Sequence, residues 1–148
     1  MWAALLVAID QLTAAWARRV LSPSSAKPVW GRQLQFQLLY NRGAMLGLGS
    51  SRPALITGIG IVIAAGLLYA MIRWTQYRWP LATMAGGGLG NVGSRIVYGR
   101  VTDFIRVAGY PGIFNVADVA LRVGMVWLVV AVIVYEHQAS KMAQLRDS

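Results

Sequence analysis

The chain has 148 residues, 57% of them hydrophobic and only 13% charged, and it contains no cysteine. Soluble domains carry about 25% charged residues, so this composition favours a single membrane-embedded domain, residues 1–148, over a soluble one. The lack of cysteine excludes disulfides, thiolate metal sites and a cysteine nucleophile. The net charge is +9, but the basic residues stand mostly at the ends of apolar runs, which fits lipid headgroups and not nucleic acid.

The first apolar run, residues 2–17, is predicted to be a membrane helix. Asp10 and Gln11 interrupt the run, and no basic segment precedes it. A secretory signal peptide has a basic start and an unbroken apolar stretch, so a cleaved signal is the weaker interpretation, although Ala15-Trp16-Ala17 looks like a cleavage site.

A long polar connection, residues 18–52, separates this helix from the second apolar run. Within the connection, residues 33–40 partly alternate between polar and apolar side chains, the pattern of a β-strand. The second run, residues 54–72, is uncharged and is flanked by Arg52 and Arg73. It is long enough to cross about 30 Å of hydrocarbon as a helix.

The third apolar run, residues 79–94, is rich in glycine. Gly86 and Gly90 stand at the spacing that lets membrane helices approach each other closely. Residues 88–93 also match the G-x-G-x-x-G pattern. A dinucleotide site needs a preceding strand and an acidic residue about 20 positions later. Neither is present, so helix packing is the better interpretation of these glycines.

The second connection, residues 95–112, contains another strand candidate, residues 101–105, and leads into the last apolar run, residues 113–135. Asp118 and Arg122 interrupt this run. The four runs together predict a mainly α, polytopic membrane protein with four transmembrane helices. With four spans, both connections lie on the same side of the membrane, where they can form a small β-sheet.

Charge alone predicts an orientation for these segments. The turn between the second and third runs holds two basic residues, Arg73 and Arg78. The long connection with its edges holds six: Arg18, Arg19, Lys27, Arg32, Arg42 and Arg52. Because loops rich in Lys and Arg favour the cytoplasmic side, this count places the long connection in the cytoplasm.

Five acidic residues are present, and their scarcity makes each one informative. Glu136 and Asp147, together with the single histidine His137, belong to a polar C-terminal stretch and are expected to be solvated. A carboxylate in an apolar segment is expensive and usually has a function. Three lie in or beside such segments: Asp10, Asp103 and Asp118.

Asp103 and Asp118 are separated by a loop that includes residues 109–112 and can bring both carboxylates to one membrane edge. Two close carboxylates share a proton, so the ionised one can deprotonate a water while the protonated one polarises a peptide carbonyl, as in aspartic proteases. The alternative is that Asp118 pairs with Arg122 one helical turn on, and that Asp103 only ends a strand.

Three asparagines, Asn41, Asn91 and Asn115, lie near apolar segments. Each one alone is typical of a helix cap or a turn. As a set, they could donate hydrogen bonds to a substrate backbone or fix the positions of the aspartates.

Five motifs, in order along the chain, resemble those of bacterial lipoprotein signal peptidase, also called signal peptidase II. Asp10-Gln11-Leu12-Thr13 is similar to the family's D-Q-x-T-K, and residues 41–47, with Gly43, are similar to N-x-G-A-A-F-G. Residues 87–95 are similar to G-G-x-x-G-N-x-x-D-R. Residues 99–104 are similar to G-x-V-x-D-F, and residues 114–118, followed by Gly124, to F-N-x-A-D.

The resemblance implies four transmembrane helices, cytoplasmic termini and an extracytoplasmic sheet, the opposite orientation to the charge count. It implies a multi-pass aspartic endopeptidase of the bacterial cytoplasmic (inner) membrane that cuts lipid-modified prolipoproteins just before the diacylglyceryl cysteine. Asp103 and Asp118 would be the catalytic pair. The supporting residues would be Asp10, Asn41, Gly43, Asn91, Arg95 and Asn115.

The resemblance also sets the expected partners. These are the prolipoprotein substrate and membrane lipids, and the enzyme would act as a monomer. No metal, organic cofactor or nucleic acid is expected.

The chain departs from the family motifs at several positions. Ser94 replaces the aspartate that precedes Arg95, and Ala14 replaces the lysine of the first motif. Met45 and Leu46 replace the Ala-Phe pair of the second motif. Such drift leaves open a relative that binds lipidated or hydrophobic peptides without cutting them.

Arg122 is an added cation one turn after Asp118, where it could hold Asp118 as a carboxylate and hinder proton sharing. Together with Asp10, these charged residues inside apolar segments also leave open a small transporter or an ion-conducting oligomer.

Overall fold

The computed structural model describes residues 1–44 and 47–146. The substitutions at Met45 and Leu46 and the expected solvation of Asp147 fall outside the described residues. Within the described part, the α-helices are α1 (Trp2–Val20), α2 (Pro53–Arg73), α3 (Arg78–Tyr98) and α4 (Val116–Arg146). The β-strands are β1 (Lys27–Trp30), β2 (Leu34–Asn41), β3 (Val101–Val107) and β4 (Ile113–Phe114).

The last helix differs most from the prediction of residues 113–135. It begins later because Ile113 and Phe114 pair with β3. It also continues to Arg146, since residues beyond the apolar run such as Ala, Gln, Lys and Met favour helix even where they no longer favour lipid. Glu136 and His137 are exposed on this extension, as predicted.

Of the helices in the described part of the chain, two are long and apolar enough to cross a membrane. They are Pro53–Arg73, with a mean hydropathy of 2.3, and Val116–Met142, with 2.2. The surface of α2 is strongly apolar, and Val62 and Ile72 on it are 72% and 73% exposed. An exposed apolar surface of this kind suits lipid and not water.

Helix α3 packs against α1, α2 and α4. Its small residues permit close approach: a methyl group at Gly86 would lie 3.0 Å from the carbonyl oxygen of Ala3, and one at Gly90 would lie 2.9 Å from Asp10 Oδ2. The predicted packing role of these two glycines is therefore confirmed, and the G-x-G-x-x-G segment lies inside a helix.

The four strands form one antiparallel sheet in the order β1-β2-β3-β4. The predicted strands at residues 33–40 and 101–105 are confirmed as β2 and β3. A buried cluster joins the sheet to the end of α1: Ala17, Leu21, Leu38 and Phe104. This packing fixes β3, and with it Asp103, against the helices.

Candidate active site

Asp103 lies on the buried part of β3 and is only 1% exposed. Its carboxylate accepts two hydrogen bonds from side-chain amides. Asn41 Nδ2, at the end of β2, lies 3.1 Å from Oδ2, and Asn115 Nδ2, just before α4, lies 2.9 Å from Oδ1. The sheet and the start of α4 therefore hold this carboxylate from two sides.

Burial raises the pKa of Asp103 to about 7, and the neighbouring charge of Asp118 acts in the same direction. The amide donors of Asn41 and Asn115 and the charge of Arg95 oppose the rise without cancelling it. Near neutral pH the Asp103 carboxyl group therefore carries a proton in a large fraction of molecules.

Asp118 lies in the first turn of α4 and is half-buried. Its backbone N–H donates to Asn115 Oδ1 over 2.8 Å, and its Oδ2 accepts from the Asn115 N–H over 3.4 Å. This reciprocal arrangement is a capping box, which satisfies N–H groups that the first turn of a helix leaves unpaired.

The asparagines link the two aspartates into one network. Asn115 Nδ2, besides its bond to Asp103, donates to Asn91 Oδ1 over 2.9 Å, and Asn91 Nδ2 donates to Asp118 Oδ1 over 2.9 Å. Asn115 is also the predicted helix cap. Asn41 forms the predicted turn, since its Oδ1 accepts from the Gly43 N–H. For Asn91, which lies within α3, the cap or turn interpretation is wrong.

Arg95 connects the second motif to α3. Its Nη2 donates to the carbonyl oxygen of Gly43 over 2.7 Å, and its Nη1 donates to the carbonyl oxygen of Asn91 over 3.3 Å. The guanidinium therefore holds the turn that carries Asn41 next to the helix that carries Asn91.

Asp10 forms a separate buried cluster and is 2% exposed. Its Oδ1 accepts from the backbone N–H of Ala117 in the first turn of α4, and its Oδ2 accepts from Gln11 Nε2, each over 2.9 Å. Gln11 Nε2 also lies 3.1 Å from the Gly90 carbonyl oxygen and 3.0 Å from Ser94 Oγ. Asp10 thus holds the helix end next to Asp118 without bonding to Asp118 itself.

Asp103 and Asp118 face the same cavity, which has a volume of about 370 Å³. Isoleucines of α2, including Ile56 and Ile59, line one part of it. Tyr110, Ile113 and Phe114, from the segment between β3 and α4, line another. The lining is therefore mostly apolar, and its polar members include both carboxyl groups and the amides of Asn41 and Asn91.

The proposed Asp118–Arg122 pair is wrong. Arg122 Nη2 donates to the hydroxyl oxygen of Tyr110 over 2.7 Å, and its guanidinium carbon lies 5.0 Å and 4.9 Å from the ring centroids of Tyr110 and Phe114. The i,i+4 spacing suggested the carboxylate as partner, whereas the tertiary fold places two aromatic rings beside the cation. Nothing in the local sequence identified Tyr110 and Phe114 as its partners.

Comparison with known proteins agrees with the motifs. Residues 2–134 match the family model for signal peptidase (SPase) II. The chain is 34% identical to a lipoprotein signal peptidase of Caldanaerobacter subterraneus, over 84% of this chain and 88% of that protein. It is 35% identical to a lipoprotein signal peptidase of Bifidobacterium longum, over 90% of this chain and 77% of that protein.

Solved structures show the same fold. A bacterial membrane enzyme determined by the in meso method at 2.3 Å resolution superposes with a TM-score of 0.82 and 27% identity, covering 89% of this chain and 85% of that one. A second, at 1.9 Å, gives a TM-score of 0.79 and 28% identity, with coverages of 88% and 89%. This similarity and the apolar helices identify a membrane protein. The chain therefore belongs to the signal peptidase II family.

Proposed function

We propose that the protein is a membrane-embedded aspartic endopeptidase that removes signal peptides from diacylglyceryl-modified prolipoproteins, cutting just before the lipidated cysteine. The observation that carries this proposal is the shared network of Asp103 and Asp118, joined through Asn115 and Asn91 and open to one cavity. Its relatives from two bacteria carry the name lipoprotein signal peptidase.

The two aspartates have different environments, and this difference suggests their roles. Asp103 is buried on a strand, where it holds a proton, so it donates to the carbonyl oxygen of the scissile peptide. Asp118 is half-buried in the first turn of α4, so it is the member that removes a proton from the attacking water. Its position in the capping box keeps the carboxylate aimed at the same cavity as Asp103.

The proton transfers balance over one cycle. Hydroxide from the water adds to the carbonyl carbon, the water proton goes to Asp118, and the Asp103 proton goes to the carbonyl oxygen. When the tetrahedral intermediate collapses, Asp118 gives its proton to the departing amine nitrogen and the C–N bond breaks. Asp103 recovers its proton from the hydroxyl that becomes the new carboxyl group.

The proposed setting is the bacterial inner membrane, with α1 to α4 all crossing it, residues 1–148 forming one monomeric domain, and the sheet on the extracytoplasmic side. Asp103 on β3 and Asp118 in the first turn of α4 would then stand at the membrane edge, where a lipid-anchored substrate can reach them. The charge count that opposed this orientation includes cations engaged by the fold. Arg18, for example, stacks on the Tyr98 ring at 4.4 Å and donates to Thr102 Oγ1 over 3.0 Å.

The structure gives less support to the alternatives. Ser94, whose neutral side chain suggested an inactive relative, is hydrogen-bonded within the Asp10 cluster. Arg122 bonds to Tyr110 and leaves Asp118 to its network with Asn91 and Asn115. A transporter would place its charges near the midplane of the membrane, whereas Asp103 lies on β3 and Asp118 lies at the end of α4 that follows the sheet.

The test is cleavage of a diacylated prolipoprotein by the purified protein in detergent. Mass spectrometry of the products should locate one cut, directly before the lipidated cysteine. Asp103→Asn and Asp118→Asn should abolish that cut while still binding the lipidated substrate. A folded parent that binds the substrate but never cuts it would establish the non-catalytic relative instead.

A further inference from the structure

Arg122 is a cation within the apolar part of α4, one turn after Asp118, and it belongs to none of the motifs that carry the family resemblance. A charge at such a position is expensive unless specific partners compensate it. The partners are the Tyr110 hydroxyl and the faces of two aromatic rings, those of Tyr110 and Phe114. An arginine is suited to this role because its planar guanidinium can stack and donate at the same time.

The two rings belong to the segment that connects β3 to α4. They contact each other edge to face, with centroids 5.5 Å apart. The turn between them and β3 passes through Gly109, whose φ of +79° is a conformation that suits glycine. Since β4 contains only two residues, its ladder contributes little to holding this segment, and Arg122 ties the segment to the body of α4.

Arg122, Tyr110 and Phe114 all line the cavity that contains Asp103 and Asp118. Isoleucines of α2 such as Ile59 also line it. The position of the aromatic segment therefore sets the space available to substrate groups next to the scissile bond.

We propose that Arg122 is a substrate-positioning residue, which fixes Tyr110 and Phe114 as one wall of the active-site cavity. The inference rests on the proposed peptidase function, and it assigns to Arg122 a part in substrate binding and not in the chemical step. It predicts that loss of Arg122 frees Tyr110 and Phe114 and lowers the affinity for the prolipoprotein, while Asp103 and Asp118 can still catalyse cleavage.

Steady-state cleavage of the diacylated prolipoprotein tests this assignment. Arg122→Ala should raise KM by about tenfold and leave kcat within about threefold of the parent, because the lost contacts act on binding. Tyr110→Phe keeps the stacked ring and loses the hydroxyl, so its rise in KM should be smaller, about threefold. Arg122→Lys keeps the charge without the planar stack and should fall between parent and Arg122→Ala.

Arg106→Ala is the matched control. Arg106 is an exposed arginine on β3 that donates to Gln37 Oε1 over 2.8 Å and does not line the cavity. Arg106→Ala removes an arginine side chain from β3, the strand that pairs with β4. Because this side chain does not line the cavity, KM and kcat should both stay at the parent values. An unchanged KM in Arg122→Ala, or a fall in kcat alone, would overturn the assignment.

Hydrogen–deuterium exchange separates failure of this inference from failure of the proposed function. Residues 107–113 should exchange faster in Arg122→Ala than in the parent and in Arg106→Ala, whether or not the protein cuts prolipoproteins. Unchanged exchange in this segment overturns the role of Arg122 even if the dyad variants abolish cleavage. Faster exchange in Arg122→Ala, together with a parent that does not cut prolipoproteins, would support the role of Arg122 in holding the segment and reject the proposed peptidase function.

Discussion

Two buried carboxylates in this protein, Asp103 and Asp10, have nearly the same exposure, 1% and 2%, yet they differ in what surrounds them. Asp103 accepts hydrogen bonds from two side-chain amides and faces the cavity. Asp10 accepts a backbone N–H of α4 and a glutamine amide and is absent from the cavity lining. Burial alone thus does not distinguish the proposed catalytic carboxylate, Asp103, from Asp10, whereas access to a cavity beside a second carboxylate does.

The two clusters meet at the first turn of α4. Asp10 holds Ala117, and the Asn115 side chain caps the same turn from the other cluster. Asp10 therefore keeps in place the helix end that carries Asp118. Substitutions in the two clusters should therefore affect cleavage and stability to different extents.

Apart from the proposed catalytic pair itself, Asn115 is the residue of the Asp103–Asp118 network whose loss should slow cleavage most. Asn115→Ala removes both the helix cap and the amide that joins Asp103 to Asn91, so kcat should fall by about 100-fold or more. Asn115→Ser keeps an oxygen that can cap the helix and loses the amide donor. In a melting curve, Asn115→Ser should keep most of the thermal stability of the parent. In a cleavage assay, it should be almost as slow as Asn115→Ala. Equal activity of Asn115→Ser and the parent would remove the amide from the mechanism.

The proton on Asp103 should make cleavage pH-dependent. The pKa of Asp103 is raised to about 7, and in the proposed mechanism its protonated form is the reactive one, so activity should be retained below this value and lost as pH rises through it. On the alkaline side, kcat/KM should fall about tenfold per pH unit, with an apparent pKa that belongs to the coupled pair. A rate that keeps rising from pH 7 to 9 would contradict the assigned proton.

Asp10 should affect stability more than chemistry. Asp10→Ala leaves the Ala117 N–H and the Gln11 amide buried without this acceptor, which should cost about 2 kcal/mol of stability and slow cleavage by about tenfold. Asp10→Asn retains one oxygen for the Ala117 N–H, so it should be milder in both measurements. If Asp10→Asn melts like the parent but is inactive, Asp10 belongs to the reaction and the distinction between the clusters fails.

The smallest effect concerns the two neutral substitutions at the interface of α1 and α3. Ala14 and Ser94 are each 2% exposed. Ser94 Oγ accepts a hydrogen bond from Gln11, which lies one turn before Ala14 on α1. Relative to the family motifs they remove one cation and one anion together. Ser94→Asp alone should destabilise the protein because it adds a second buried carboxylate near Asp10.

Adding Ala14→Lys should recover part of the stability that Ser94→Asp loses. A double-mutant cycle should give a coupling of about 1 kcal/mol in the free energy of unfolding, obtained from the shifts in melting temperature. A gain in activity from Ser94→Asp alone would show that the drift at this position has weakened the enzyme.

The hydropathy pattern and the small number of acidic residues were sufficient to predict the helices, two of the strands and the candidate pair of aspartates. The apolar runs located the four helices, alternation located β2 and β3, and the few carboxylates identified Asp103 and Asp118 as the candidate pair before any contact was known. Each of these signals is a property of a continuous segment or of a rare residue type, so it survives without knowledge of the fold.

The rest depended on contacts between distant segments. Strands β1 and β4 have four and two residues, too few to show a clear alternation. Arg122 has a carboxylate at local helical spacing but bonds to Tyr110, 12 positions away in a loop. Likewise, no spacing rule predicts that Asn91 of α3 donates a hydrogen bond to the carboxylate of Asp118, which lies 27 positions later in the chain.

The most direct test of the central claim is single-turnover cleavage of one diacylated prolipoprotein by four proteins: the parent, Asp103→Asn, Asp118→Asn and Asp10→Asn. All four should be folded and should bind the substrate. We expect no cleavage from either variant of the pair, and slower but measurable cleavage from Asp10→Asn. Cleavage by Asp103→Asn or Asp118→Asn at the rate of Asp10→Asn would contradict the assignment of the catalytic pair.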